Sequence, residues 1–134
     1  MSGIESYRDL KVWQLGMDIA VDVYRLTQDY PRDEQFGLTS QTRRAASSVP
    51  ANIVEGYGRN SKASYVNFLR IAQGSLKELE THVLLAERVG MARSEGTTDI
   101  LGRCDRLGKM LGSLITKVAA SNRLPNAQSR LPAP

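Results

Sequence analysis

Residues 10–30 read LKVWQLGMDIAVDVYRLTQDY, a run with one glycine and no proline that Pro31 then stops. Advancing about 100° per residue from Leu10 collects Leu10, Trp13, Met17, Ala20, Val21 and Tyr24 on one stripe. Val12, Leu15, Ile19, Val23 and Leu26 make a second stripe on the opposite side. Between them lies a narrow polar wedge of Lys11, Gln14, Asp18, Asp22 and Arg25. A bundle helix ordinarily buries one apolar stripe, so a second one needs its own covering surface. Either this helix is central in its own domain, or the stripe of Val12, Leu15, Ile19, Val23 and Leu26 is an outer one that meets another subunit.

Three more helical segments follow. From about Glu34 to Gly58, the residues Leu38, Thr42, Ala45, Val49, Ile53 and Gly56 share one face, mostly small, on which a neighbouring backbone can approach closely. Pro50 stands in the middle, removes one donor and predicts a bend. The run Gly56-Tyr57-Gly58-Arg59 predicts a stop, with a glycine at positive φ. Ser61 reads as the N-cap of a third helix, which Gly90 closes. Its stripe of Tyr65, Phe68, Leu69, Ala72, Leu76, Leu79, Val83 and Ala86 is a well-defined core face. The fourth helix, from about Thr98 to Ser121, repeats Ile100, Cys104, Leu107, Leu111, Leu114 and Val118 at steps of four and three, the seam of left-handed bundle packing. The predicted fold is all-α: an up-down-up-down antiparallel four-helix bundle over residues 1–121, followed by a proline-rich, flexible C-terminal tail over 122–134.

At 134 residues, 41% apolar and 24% charged, the chain suits one domain with a core that needs no staples. Its single cysteine excludes an intramolecular disulfide and a cysteine-based zinc site, and fits a reducing, cytoplasmic setting. No apolar run approaches the roughly 18 residues of a membrane span. The net charge of +4 is unevenly spread. Residues 39–77 hold 6 basic and 1 acidic side chains and residues 100–134 the same, whereas 1–38 and 78–99 are net acidic. Any positive patch must therefore be built by the second and fourth quarters, and with a pI near 9.5 such a patch suits a polyanion.

Catalytic constellations are scarce. His82 is the only histidine, and it borders the core stripe, where a structural role is the plainer reading. Glu78 precedes it by four, but the di-iron bundle pattern of paired Glu-x-x-His motifs is absent. Cys104 occupies a seam position, as a small hydrophobe does. The stretch Gly56 to Lys62 lacks the second glycine and the preceding strand of a phosphate loop. Glu55 is the sole carboxylate in its quarter, too few for a metal-dependent nuclease, and pairs naturally with Arg59. The expectation is no enzyme, no cofactor and no metal.

The cations are more informative. Arg43 and Arg44 fall at about 140° and 240° from the core direction of the second helix, outward on either flank. Arg70, Lys77 and Arg88 align along an outer ridge of the third, and Arg103, Arg106, Lys109 and Lys117 along an arc of the fourth. Each aligned cation can meet a phosphate, although charged helix faces are commonly just solvated. Neither a helix-turn-helix signature nor an aromatic stacking platform accompanies them.

The ordered combination of Tyr7-Arg8-Asp9-Leu10-Lys11-Val12-Trp13, Gln41, Arg43-Arg44-Ala45-Ala46, Ser48, Val49, Asn52-Ile53 and Glu55-Gly56-Tyr57-Gly58-Arg59 continues through Ser61, Phe68-Leu69, Ala72, Gly74-Ser75 and Glu78-Leu79-Glu80. It resembles the bacterial four-helix-bundle family of 23S ribosomal RNA intervening-sequence proteins, related to the accessory variability determinant of diversity-generating retroelements. The resemblance implies a protomer that assembles into a homopentameric ring without known enzymatic activity, and it would place the second stripe of the first helix in the subunit interface. Relatives are basic, and the retroelement protein binds nucleic acid and a reverse transcriptase. The family's basic positions correspond to Arg43, Arg44 and Arg59. Two departures are Ser64, where a capping glutamate is common, and Asn67, where a basic residue is frequent. The expected function is a non-enzymatic, oligomeric RNA- or DNA-binding accessory protein, with Arg43, Arg44, Arg59, Lys62, Arg70 and Lys77 as its phosphate contacts. The alternative is a structural adaptor ring that holds a protein partner such as a reverse transcriptase.

Overall fold

Some helix boundaries are set by local backbone partners and others by contacts from distant segments. In the computed structural model, which describes residues 4–121, the helices are α1 (Lys11–Thr27), α2 (Leu38–Tyr57), α3 (Lys62–Arg88) and α4 (Ser94–Ala120). The tail expected over 122–134 lies outside the described residues. Ahead of α1, a 3-10 turn at Tyr7–Asp9 is closed by a capping box. Arg8 N–H donates to the Ser6 hydroxyl, and the Asp9 carboxylate accepts from the backbone of Glu5 and Ser6, which holds its pKa below the usual carboxylate range.

α1 ends three residues before the expected Tyr30, because Tyr30 turns inward and closes the end of the bundle against Ala86 and Ala92. α2 starts at Leu38 rather than near Glu34, since Arg32–Glu34 form a 3-10 turn and the Glu34 carboxylate accepts from Leu38 N–H at 3.0 Å. The helix then runs through Pro50 without interruption. Ser61 does cap α3, accepting from Ser64 N–H at 3.1 Å. Gly90, at φ +82°, terminates it with the paired bonds Met91 N–H to Ala86 C=O and Gly90 N–H to Glu87 C=O. α4 begins four residues earlier than the sequence suggests, anchored by fully buried Thr97, whose hydroxyl donates to the Glu87 carboxylate of α3.

The contacts run α1 to α2, α2 to α3, α3 to α4 and α4 back to α1, closing an antiparallel four-helix bundle. There is no strand among the described residues, and none of their helices is long and apolar enough to cross a membrane. The core joins Ile19 and Val23 of α1, Val49 and Ile53 of α2, Leu69, Leu76 and Leu79 of α3, and Leu107 and Leu111 of α4, all essentially inaccessible.

α2 and α3 make the most extensive contact. The stop after α2 differs from expectation: Gly58 sits at φ −79°, in the right-handed region, so no positive φ is needed there. Gly56 matters instead for space. A methyl at Gly56 would lie 2.8 Å from Phe68 Cβ and 3.2 Å from the Tyr65 carbonyl. Ser48 and Ser75 complete the seam with a 2.7 Å hydroxyl contact. Gly56→Ala is expected to destabilise the fold by about 1–3 kcal/mol, by forcing two backbones apart; a denaturant titration with an unchanged midpoint would refute this account.

Candidate nucleic-acid and assembly surfaces

Two of the bundle's grooves lie on opposite faces, because the pairs α1/α2 and α3/α4 share no helix. The α1/α2 groove, of about 750 Å³, is apolar: Trp13, Met17, Val21 and Tyr24 of α1 face Pro50, Ala51 and Val54 of α2. Trp13 is held edge-on against Tyr7, ring centres 5.2 Å apart. Met17, Val21 and Tyr24 nevertheless remain 40–46% exposed.

This reverses the expected roles of the two α1 stripes. Val12, Ile19 and Val23, expected at the subunit interface, are 5%, 1% and 0% exposed within the protomer's own core, and Leu15 and Leu26 pack against that core. Of the other stripe, Leu10 and Ala20 also join the core, and the part left outside is Met17, Val21 and Tyr24. The reason lies in what flanks the stripes. Gly16 and Ala20, small residues on the edge away from the polar wedge, face α2, where a methyl added at Gly16 would reach ordinary contact with Pro50 and Val49 at 3.6 Å. On the wedge side, Asp22 accepts from Arg103 of α4 at 2.7 Å. Docked by both edges, α1 can only turn Val12, Ile19 and Val23 inward.

The second groove, of about 470 Å³, is lined by Arg70, Gln73, Gly74 and Lys77 of α3 and by Asp105, Gly108 and Lys109 of α4. Arg70 has no ion pair or hydrogen bond among the described residues; Lys109 pairs with exposed Asp105 at 3.3 Å, and Lys77, itself exposed, pairs with partly buried Glu80 at 3.2 Å. Such pairs contribute at most about 1 kcal/mol, so both ammonium groups exchange partners readily.

Only two of the six expected phosphate contacts, Arg70 and Lys77, share this site. Arg43, expected to face outward, instead ties α2 to α1: its Nε donates to Thr27 Oγ1 at 2.7 Å and its guanidinium stacks 4.6 Å over the Tyr24 ring. Arg59 binds Glu55 at 2.6 Å and lies over Phe68. Lys62 donates to the carbonyls of Ala119 and Ser121, capping the C-terminal end of α4. Arg44 is exposed as expected, but it lines a separate shallow depression beside Glu78, between α2 and α3. Lys109 is the contributor that the sequence left unselected. Its place on an outer arc was visible, but its apposition to Arg70 and Lys77 follows only from α4 lying beside α3.

The remaining reactive groups are withdrawn from solvent. Cys104 is fully buried, and burial pushes its thiol up to about 12. His82 is largely buried, 3.8 Å from Glu78. No three His, Cys, Asp or Glu side chains converge as metal ligands among the described residues.

Arg43→Ala should cost about 1–2 kcal/mol, from the bond to buried Thr27 and the stacking on Tyr24. A midpoint unchanged by this substitution would return Arg43 to the pool of free cations. Cys104 should react with a thiol reagent at pH 8 only as fast as the fold opens, so rapid labelling of the native protein would contradict its burial.

Comparisons with known proteins agree with this architecture. The model of the 23S rRNA-intervening sequence protein family matches residues 8–113. A solved structure from Bacteroides thetaiotaomicron, described as a protein of unknown function from the S23 ribosomal protein family, superimposes with a TM-score of 0.70. It is 26% identical, over 78% of this chain and 97% of that one. A comparison with curated proteins gives no match. Matched along most of its length by the family model and sharing the bundle of the solved relative, the chain belongs to the 23S rRNA-intervening sequence protein family.

Proposed function

We propose that this protein is a non-enzymatic, oligomeric nucleic-acid-binding accessory protein that acts in the cytoplasm and contacts phosphates through cations without reading bases. The observation that carries the reading is the placement of an exposed apolar groove and a cationic groove on opposite faces of one rigid bundle. Copies that bury Met17, Val21 and Tyr24 against one another turn Arg70, Lys77 and Lys109 outward, and closure into a five-membered ring, as the family resemblance implies, repeats that cationic face around its rim. A non-enzymatic role agrees with the burial of Cys104, whose thiol is neither exposed nor ionised near neutral pH.

Assembly and binding have separate tests. In light scattering at micromolar concentration, the wild-type chain should be an oligomer and Val21→Asp a folded monomer. Ile19→Asp should fail to fold, because it buries an unpaired charge in the core. A wild-type monomer would overturn assembly and leave the apolar groove to a different protein, as in the adaptor reading. In a filter-binding titration with structured RNA and duplex DNA, affinity should fall steeply with salt. Replacing Arg70, Lys77 and Lys109 by alanine together should flatten the log–log slope by about 2–3 per protomer engaged. Absence of binding to either polyanion at low salt would remove the nucleic-acid reading.

A further inference from the structure

The α3/α4 groove has a feature that charge alone does not explain. Its wall on α3 includes Gly74, and its wall on α4 includes Gly108, both inside 27-residue helices. Glycine in a helix interior is unfavourable by roughly 1 kcal/mol relative to alanine. Gly56 has a packing reason for bearing that cost, since a side chain there would strike α3. Gly74 has none: a methyl built on it meets no atom within 4 Å. Nor does backbone conformation require it, because Gly90 is the only residue at positive φ among those described. At Gly108, a methyl would make only ordinary contact with Leu76, at 3.7 Å. These glycines therefore leave room inside the groove that the protomer itself does not use.

The groove is rimmed by Arg70 and Lys77 on one side and Lys109 on the other, with Asp105 its one carboxylate. Arg70 and Lys77 are two helical turns apart, about 10 Å along α3, far enough to meet different phosphates of one strand. Neighbouring helices stand roughly 8–10 Å apart, which admits one strand's backbone but not the width of a duplex. With no aromatic side chain among its lining residues, the groove offers nothing for a base to stack on.

From this geometry we infer that the α3/α4 groove seats the phosphodiester backbone of one nucleic-acid strand, laid against the bare helix backbone at Gly74 and Gly108 and neutralised by Arg70, Lys77 and Lys109. The inference deepens the proposed nucleic-acid role and rests on it. Contact of this kind is blind to base identity. It is also sensitive to steric filling of the groove, which diffuse surface attraction is not.

The test compares Gly74→Leu with Gly102→Leu. Gly102 is another helical glycine with open space around it, on the exposed side of α4 and outside the groove. The probe is a labelled oligouridylate, titrated at low and moderate salt. Both variants keep every charge, and both should melt at or above the wild-type temperature because they remove a helix-interior glycine. Gly74→Leu should bind about tenfold more weakly and with a salt slope lower by about 2, as three phosphate contacts of about 0.7 each are lost. Gly102→Leu should bind as the wild type does. Gly74→Ala provides a second, smaller obstruction, expected to raise the melting temperature while still weakening binding. If the glycine variants bind normally while the triple alanine variant at Arg70, Lys77 and Lys109 does not, polyanion binding stands and the groove assignment falls. If wild-type protein fails to bind the oligouridylate, structured RNA and duplex DNA alike, both fall together.

Discussion

The close approach of α2 to its two neighbours is the constraint from which the rest of the molecule follows. α2 presents Ala45, Ala46, Val49 and Gly56 inward, with Pro50 also buried, and these small or compact residues bring α1 and α3 near its axis. At Gly56 the space is so limited that one methyl would collide with α3. Across the other side, α1 sets Gly16 against Pro50 and Val49, where an added methyl would just reach van der Waals contact. A helix held this tightly on both flanks fixes the rotation of its partners. That rotation decides which apolar stripe of α1 enters the core and which cations of α3 meet those of α4.

The division of labour among the basic residues is a consequence. A cation near a helix junction finds a carbonyl, a hydroxyl or a ring within reach and becomes part of the framework, as Arg43, Arg59 and Lys62 do. A cation in the middle of the α3/α4 pair has a single nearby acid, as Lys77 and Lys109 do, or no partner among the described residues, as with Arg70. The cations assigned to binding in the proposed function are thus those for which the fold has the least structural use. The α1/α4 face shows the opposite balance: Arg103 is engaged there by both Asp22 and Asp99, so its charge is more than offset.

The opposed grooves give this small bundle two independent surfaces. In the assembly proposed above, their separation would let an apolar contact between copies form without covering the cationic groove, and would let repeated weak phosphate contacts add along the assembled surface. The glycines of α3 and α4 fit that arrangement, since they thin the helix wall on the face that assembly would leave open.

Much of this was legible in the chain itself. Heptad-like spacing in α3 and α4, the Ser61 cap and the Gly90 stop are local signals, since each depends on residues within one or two turns, and the structure keeps them except that Ile115 is buried where Leu114 was expected. The boundaries that moved were those set at a distance: Tyr30 left α1 to fill the bundle end, and Thr97 extended α4 by packing against Glu87. The same split governs the candidate surfaces. The sequence by itself determined that α1 carries two apolar stripes and that the second and fourth quarters are basic, because periodicity and composition are properties of one segment at a time. Only the tertiary structure decided that Val12, Ile19 and Val23 lie inside, that Trp13, Met17, Val21 and Tyr24 line the outer groove, and that Arg70, Lys77 and Lys109 converge while Arg43 does not. Those outcomes depend on how each helix is rotated against its neighbours, and that rotation is set by the small side chains and cross-helix bonds of other segments.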